Sequence, residues 1–567
     1  MIRSVPIRRR PHREPLPGLH PVVGRVLAQR GLERAPDHSL AGLLAPTLDN
    51  LERAAALLAD AVENGRRIVV VGDFDADGAT GTAVAVRGLR GLGAADVRWR
   101  MPDRQRHGYG LGTELAGECL ALDPDVLVTV DHGITSVDGV RRVREAGVQV
   151  VVTDHHLPGP ELPEADAIVN PNLPGDPFGS RHPAGVGVIF YVVAAVRAEL
   201  RRRGRQTDYR LDGLLDLVAL GTVADLVRLD ENNRRLVWQG IRRIRARRCQ
   251  PGVAALLEVA GRNLAHVTAA DLGFTAGPRL NAAGRLDDIS IGLRCLLTDD
   301  EREARELAAE LDRFNRQRQT LQSEMVEAAA EMAQAAREKL EGEVDGLCLH
   351  DESWHPGVVG LVASRLCEQL QRPVVACAPA EPGSRELKGS ARSPQGVHMR
   401  DLLAAVDAAA PGIIDRFGGH ARAAGLSLDR DRIEAFRDAF EAQAGALEFA
   451  PPDVLTDGEL SGEEMVLESA LALADAGPWG QGWDEPLFDG RFRVLERRVV
   501  GEHHLKLRLR PVGDGPAVDA IAFRAGEWCH RDLPDPLGIT YRLAVNRFRG
   551  EVGLQLMVQH FVRETAS

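Results

Sequence analysis

The chain has 567 residues, is 44% hydrophobic but only 4% aromatic, and carries a formal net charge of −12 at neutral pH. That length exceeds what one core can serve, so roughly three or four domains are expected. No window approaches the ~18 apolar residues of a membrane span, and the acidic balance argues against a general nucleic-acid coat protein.

In chain order, the start "MIRSVPIRRRPHRE" is basic and no apolar h-region follows it, so residues 1–45 read as a basic arm rather than a secretory signal. From residue 50 to 230, strand-like and helix-like stretches alternate: "RIVVVGD", "GATGTAVAVRGLRGLG", "DVLVTVDHG", "SVDGVRRVREAG", "VQVVVTDHH" and "ADAIVNPN". Such alternation predicts an α/β domain with a doubly wound parallel sheet, whose site lies at the C-terminal ends of the strands. From Asp299 to Leu340 the sequence contains neither Pro nor Gly and is rich in Ala, Glu and Arg, which predicts one long connecting helix. Thr298, with Glu301 three residues on, fits a capping box. A second α/β block follows at 343–448, and "FAPPDVLTDGEL" reads as a linker. The tail holds short alternating stretches such as "HHLKLRLR" and "ITYRLAVNRFRG", as in a small barrel or sandwich. From Arg491 to Ser567 there are 13 Lys or Arg against 9 Asp or Glu, so the tail is locally basic. The seven cysteines are scattered without a C-x-x-C pair, as in a protein of the reducing cytoplasm rather than a disulfide or zinc framework.

The strand ends carry unusual chemistry. "VVVGDFDADGATGTA" places Asp73, Asp75 and Asp77 behind the first strand, "VDHG" places Asp131 and His132 behind another, and "TDHH" places Asp154, His155 and His156 behind a third. "GTVADLV" adds Asp225 after an apolar helical stretch. An EF-hand loop starting at Asp73 would need Glu at its twelfth position, where Val84 stands. A phosphatase-type nucleophile at Asp75 would want a balancing lysine, but lysine occurs only at 339, 388 and 506. Each Asp taken alone would commonly be a helix cap or turn former. Three consecutive strand ends bearing D-x-D-x-D, D-H-G and D-H-H are better explained together. Adjacent parallel strands end at one sheet edge, so Asp73, Asp75, Asp77, Asp131 and His155 should converge there. Carboxylates so crowded must take up protons or bind cations. Asp and His ligands without Cys suit Mg2+ or Mn2+, with ligands enough for two ions ~3.5–4 Å apart, as in phosphodiester hydrolysis.

These motifs together resemble those of the DHH phosphoesterase superfamily. "SWHPGVVGLVASRL", "GSARS" and "FGGHARAAGLSL" resemble its DHH-associated domain, while "GPRLNAAGR" and "GPWGQGWDEPLFDG" are similar to stretches of its bacterial 5′ exonucleases of single strands. The resemblance covers residues 45 to 567. It implies a DHH catalytic domain over 46–297, a connecting helix over 298–342, a DHH-associated domain over 343–448, and a linker with an OB-like barrel over 449–567. It implies a two-metal (Mn2+ or Mg2+) 5′ exonuclease of single-stranded DNA in recombination and repair, with a single-strand-binding protein and a helicase as partners. Asp75, Asp77, Asp131, His155 and Asp225 would be ligands, Asp131 the bridge, and Asp73 and Asp154 further members of the metal set. Catalysis would rest on Asp131, His156, Asp75 and Asp77. Nucleic-acid contacts are expected from Arg104, Tyr109, Arg279, Arg285, Ser390, Arg392, His420, Arg547 and Arg549, by guanidinium forks or by stacking on a base. Two alternatives are a phosphodiesterase of short oligonucleotides or cyclic dinucleotides, whose small substrate needs no long groove, and a non-catalytic replication scaffold, which would be expected to have lost ligands.

Overall fold

The first strand of the chain, β1 (Ile7–Arg9), pairs in parallel with Val454–Thr456, almost the whole chain away. The structure is a computed structural model that describes residues 6–104, 106–286, 288–339, 345–447, 453–501, 503–548 and 551–562. In it residues 7–32 of the expected basic arm are instead part of the C-terminal body. Helix Pro21–Gln29 buries Val22, Val23, Val26 and Leu27 in the same cluster as barrel residues Phe488, Leu507 and Leu556. The arginines that made the segment look like a solvated arm are held by acidic residues. Arg9 bonds Asp489 at 2.9 Å. Arg30 meets Asp457 at 3.1 Å and lies 5.0 Å from the Trp479 ring centre.

The alternation at 67–169 folds into the expected parallel sheet, of β2 (Arg67–Val71), β3 (Asp96–Arg100), β4 (Val126–Val130), β5 (Gln149–Thr153) and β6 (Ala167–Val169) in the spatial order β3-β2-β4-β5-β6; β3 is not among the strand-like stretches of the sequence. The continuous apolar runs of β2, β4 and β5 reflect burial on both faces. Val69, Val71, Leu127, Val150 and Val152 pack against helices Thr113–Leu120 and Val137–Glu145. Ile68, Val70, Val126, Val128 and Val151 belong to the larger core, with helices Ala76–Gly91 and Gly185–Arg202. All strands therefore discharge their C-terminal loops at one edge.

Helix Glu301–Lys339 extends for 39 residues, about 58 Å at ~1.5 Å per residue. Its first half gives Ala304, Leu307, Leu311 and Phe314 to the first domain's core. Further along, Met325 and Ala329 join the core of the second domain. Its cap differs from expectation. Asp300 Oδ1 accepts from the N–H groups of Arg302 and Glu303, while Thr298 bonds the Glu303 side chain instead. The shorter Asp side chain, one residue from the helix, reaches both orphan N–H groups.

The second domain is a mixed sheet, β7 (Leu347–His350), β8 (Val374–Pro379), β9 (Glu386–Arg392), β10 (Arg416–Gly419) and β11 (Ala423–Asp429), in the order β10-β11-β9-β8-β7. After β12 (Val454–Thr456), the tail forms a closed five-stranded barrel of β13 (Phe488–Val500), β14 (His504–Pro511), β15 (Val518–Ala522), β16 (Leu537–Phe548) and β17 (Glu551–Val562). A parallel β15–β17 pair and an antiparallel β13–β16 pair close it.

Arg30 and Asp457 are both nearly dry, so Arg30→Ala leaves a buried carboxylate short of a partner. We expect it to lower the stability of the C-terminal body by about 3 kcal/mol. Urea unfolding followed by the fluorescence of Trp479 and Trp483 measures this; an unchanged midpoint contradicts the assignment of this segment to the barrel.

Candidate metal centre and strand cleft

Three strand ends and one helix end deliver the acidic residues. Behind β2, Asp75 caps helix Ala76–Gly91, its Oδ1 accepting from the N–H of Asp77 at 2.9 Å and of Gly78 at 3.1 Å. A Cβ on Gly78 would lie 2.4 Å from the Asp73 carbonyl oxygen, so the tight D-A-D-G turn needs glycine there. Asp77 reaches the start of helix Gly185–Arg202, accepting from Gly185 N–H at 2.6 Å and Val186 N–H at 2.9 Å. That helix end favours a negative charge. Gly185 also has to be glycine, because a Cβ would fall 2.5 Å from that of Asp131. Asp131 follows β4 with φ at 67°. Asp225 is the C-cap of helix Leu215–Ala224.

These groups converge. Ligand atoms of Asp73, Asp75 and Asp131 lie within 4.8 Å of one another, as do those of Asp77, His155 and Asp225. His155 Nε2 stands 3.0 Å from Asp131 Oδ1, 3.5 Å from Asp225 and 3.9 Å from Asp77, so Asp131 and His155 join the two groups. The short Asp131–His155 approach lacks hydrogen-bond geometry. Asp131 Oδ1, His155 Nε2 and Asp73 Oδ1 are all buried without a hydrogen-bond partner. Buried polar atoms are nearly always satisfied, and three orphans facing one space fit a cation site. The donors are oxygen and imidazole nitrogen with no sulfur, which suits Mg2+ or Mn2+. The His155 ring is held by the Pro183 backbone, which leaves Nε2 as the ligating nitrogen.

Electrostatics agree. Burial, then the neighbouring carboxylates, pushes Asp73, Asp131 and Asp225 well above the ordinary carboxylate range. Burial and Asp75 lift Asp77 to about 7. Burial lowers His155 and His132 to about 4, so both are neutral at physiological pH. Asp154 behaves differently from the ligand set in which it was expected. Its oxygens accept from Ile134 N–H, His155 N–H, His156 N–H and His156 Nδ1, and it belongs to no ligand group among the described residues. Burial opposes its ionisation, but the bonds from His156 hold it at about 2. Asp154 therefore orients the two histidines. His156 is raised, its own burial outweighed by that bond. Tyr109 OH also meets His156 Nδ1 at 2.9 Å.

Arginines of the second lobe and the connecting segments complete the cleft. Arg104 lies 4.1 Å over the Phe74 ring. Arg285 donates to the Gly357 carbonyl at 3.0 Å, joining the two lobes. Arg392 donates to Ser390 and Ser364 Oγ, both at 3.0 Å. Arg318 of the long helix is held by Asn315 and Gln322, and its buried Nε has no partner. Burial lowers all four, Arg285 to about 10, where Arg104, Arg318 and Arg392 act on it as like charges. None of the four forms an ion pair among the described residues.

Sequence reading missed Arg318, which sits in the uniform Arg/Glu pattern of the helix. It also missed Asn281, whose Oδ1 accepts from Ala76 N–H at 2.7 Å and fixes the D-x-D loop; its position inside "GPRLNAAGR" was the available signal. Arg279, expected to contact the strand, is instead locked to Asp312 at 2.7 Å and to the Thr275 carbonyl. Asp312 is buried one helix away, which consumes the guanidinium. His420 is exposed after β10 with no ring contact to this cluster among the described residues. Arg547 is exposed on β16 along a groove of about 810 Å3. Arg549 lies outside the described residues.

Comparisons with known proteins agree with this division. Family models match at 67–222 (DHH family, N-terminal domain), 342–446 (DHHA1 domain) and 456–560 (RecJ OB domain). The single-stranded-DNA-specific exonuclease RecJ of Escherichia coli (strain K12) is 48% identical over 562 residues, covering 96% of each chain. That of Thermus thermophilus is 36% identical over 93% of this chain and 73% of its own. The solved structure of RecJ with Mn2+ from Thermus thermophilus aligns with a TM-score of 0.80 at 34% identity, covering 97% of this chain and 76% of that one. Its Mg2+ complex gives 0.75 at 31% identity, with coverage of 97% and 75%.

Above pH ~7 the histidines lowered by burial are mostly neutral both folded and unfolded, so the raised carboxylates dominate. The metal-free fold then keeps protons that the unfolded chain has released, Asp77 to about 7. Its stability therefore falls as pH rises from ~7 to ~8. Melting temperature in chelator should drop across that window, and Mn2+ should abolish the drop. A flat profile in chelator contradicts the crowded-carboxylate centre.

Proposed function

The chain belongs to the RecJ family of single-stranded-DNA-specific exonucleases, and on that premise we propose that it removes mononucleotides from the 5′ end of single-stranded DNA in the cytoplasm, in recombination and repair. One observation carries this reading: a group of carboxylates without balancing cations and a group of arginines without balancing anions are held in one cleft. Divalent cations bound there, Mn2+ or Mg2+ as in the solved relatives, would supply a polarised phosphate oxygen and a water acidic enough to attack near neutral pH.

The chain's own groups do the rest. Asp73, Asp75, Asp77, Asp131, His155 and Asp225 provide the ligand atoms, with Asp131 common ground between the two sets. Asp154 fixes His156 through Nδ1 and leaves Nε2 for a phosphate oxygen. Arg104, Arg285, Arg318 and Arg392, with Ser390, seat a terminal phosphate, whose charge of about −2 exceeds that of an internal diester. The 5′ direction follows from regeneration of that ligand. Water adds to phosphorus and the 3′ oxygen departs, so the released nucleotide gains a 3′ hydroxyl and the next nucleotide retains a 5′ phosphate. That phosphate refills the arginine pocket. The Arg285–Gly357 contact holds the two lobes together beside the cleft.

The closed barrel and the exposed Arg547 favour a long strand over a dinucleotide. No helix among the described residues is long and apolar enough to cross a membrane. Long single strands arise by unwinding and are quickly coated, which makes a helicase and a single-strand-binding protein the proposed partners.

A strand labelled separately at each end should lose its 5′ label first, as mononucleotide, with blunt duplex resistant. Prior release of the 3′ label contradicts the polarity. Arg547→Ala should weaken binding of long strands and make the slope of log K against log salt shallower by about 0.7. An unchanged slope, measured by fluorescence anisotropy, removes Arg547 from the strand path.

A further inference from the structure

Two large apolar side chains stand in water, one of them next to Asp225 in the chain. Phe274 is 80% exposed and Leu226 62% exposed. Leu226 directly follows Asp225 and has φ at 62°, an uncommon conformation for a branched side chain. Phe274 occupies the middle of a π-helical turn, Leu272–Ala276, which runs into the helix bearing Asn281 and Arg285. Such turns are rare and concentrate at functional sites. The turn is seated by Gly273, where a Cβ would lie 3.0 Å from Val223.

Phe274 and Leu226 line one cavity of about 300 Å3, between the first domain and the segment that leads into the barrel. No described residue of the second lobe lines it. Arg242 stands in its wall over the Trp238 ring at 4.8 Å and has no ion pair among the described residues. The adjoining groove shares Arg245 with this cavity and continues to Arg547 on the barrel. An apolar platform thus lies between the Asp225 segment and Arg547 of the barrel, while Arg104, Arg285, Arg318 and Arg392 lie elsewhere.

We propose that Phe274 and Leu226 are a stacking platform for the bases just 3′ of the scissile phosphate, where the single strand passes from the metal centre toward the barrel. This rests on the exonuclease reading above. Every base offers a π-face, so the platform grips the strand without selecting sequence. Arg242 in the cavity wall and Arg547 along the adjoining groove, neither in an ion pair among the described residues, match a polyanion, which favours nucleic acid over an apolar peptide.

The test uses the full-length protein in Mn2+ with a 5′-phosphorylated single strand, intact or with abasic residues at the second to fourth nucleotides. Phe274→Ala should raise KM about tenfold on the intact strand with kcat little changed, a loss within the range of base–aromatic stacking. Phe274→Trp should restore KM, and abasic substitution should erase the difference between Phe274→Ala and the parent. Equal KM for Phe274→Ala and the parent on the intact strand overturns the proposal and points to a protein partner at this surface. So does a difference that persists on the abasic strand. If the parent protein leaves the intact strand uncut, the exonuclease reading falls first; if it cuts with Phe274→Ala indistinguishable, only the platform falls.

Discussion

Everything in this protein is arranged around negative charge brought into a place with little water. Asp73, Asp77 and Asp131 are almost fully buried at one sheet edge, with Asp75 and Asp225 beside them. Carboxylates crowded in this way cannot all ionise unless cations intervene. The fold supplies just enough compensation to place them. A helix start receives Asp77, a capping turn receives Asp75, and the neutral His155 is turned so that its free nitrogen faces Asp131. The remaining charge is left for divalent ions, and the orphaned atoms show where they are wanted.

A group of arginines from both lobes and the long helix answers with the opposite sign. Arg104, Arg285, Arg318 and Arg392 come from four separate segments, and their buried guanidiniums find no carboxylate among the described residues. The long helix makes this possible by belonging to both cores at once, so the arginine pocket keeps its position over the acidic edge. A phosphate would be balanced by the arginines on one side, while the carboxylates on the other need cations. The N-terminal segment packs on the barrel and then reaches the first domain through Asp37 and Arg235, and so ties the two together.

The metal motifs were legible in the sequence because parallel strands end together, so residues such as Asp77 and His155 meet without any long-range information beyond strand order. The connecting helix was legible from composition. What failed did so for reasons of distance. Nothing local tells Arg9 and Arg30 apart from a solvated arm, because Asp489 and Asp457 lie more than four hundred residues away. Arg279 and Arg285 look equivalent in "GPRLNAAGR", yet helical spacing turns one to Asp312 and the other into the cleft. Asp154 looked like a ligand, and only its four hydrogen bonds show that it serves the histidines.

The central claim is that Asp131 stands between two ion sites. Electron paramagnetic resonance of the protein titrated with Mn2+ tests it directly, since ions ~3.5–4 Å apart are magnetically coupled. The account predicts a coupled pair at saturation in the parent protein and uncoupled, weaker binding in Asp131→Ala. A single uncoupled Mn2+ at saturation, or coupling that survives in Asp131→Ala, would contradict it.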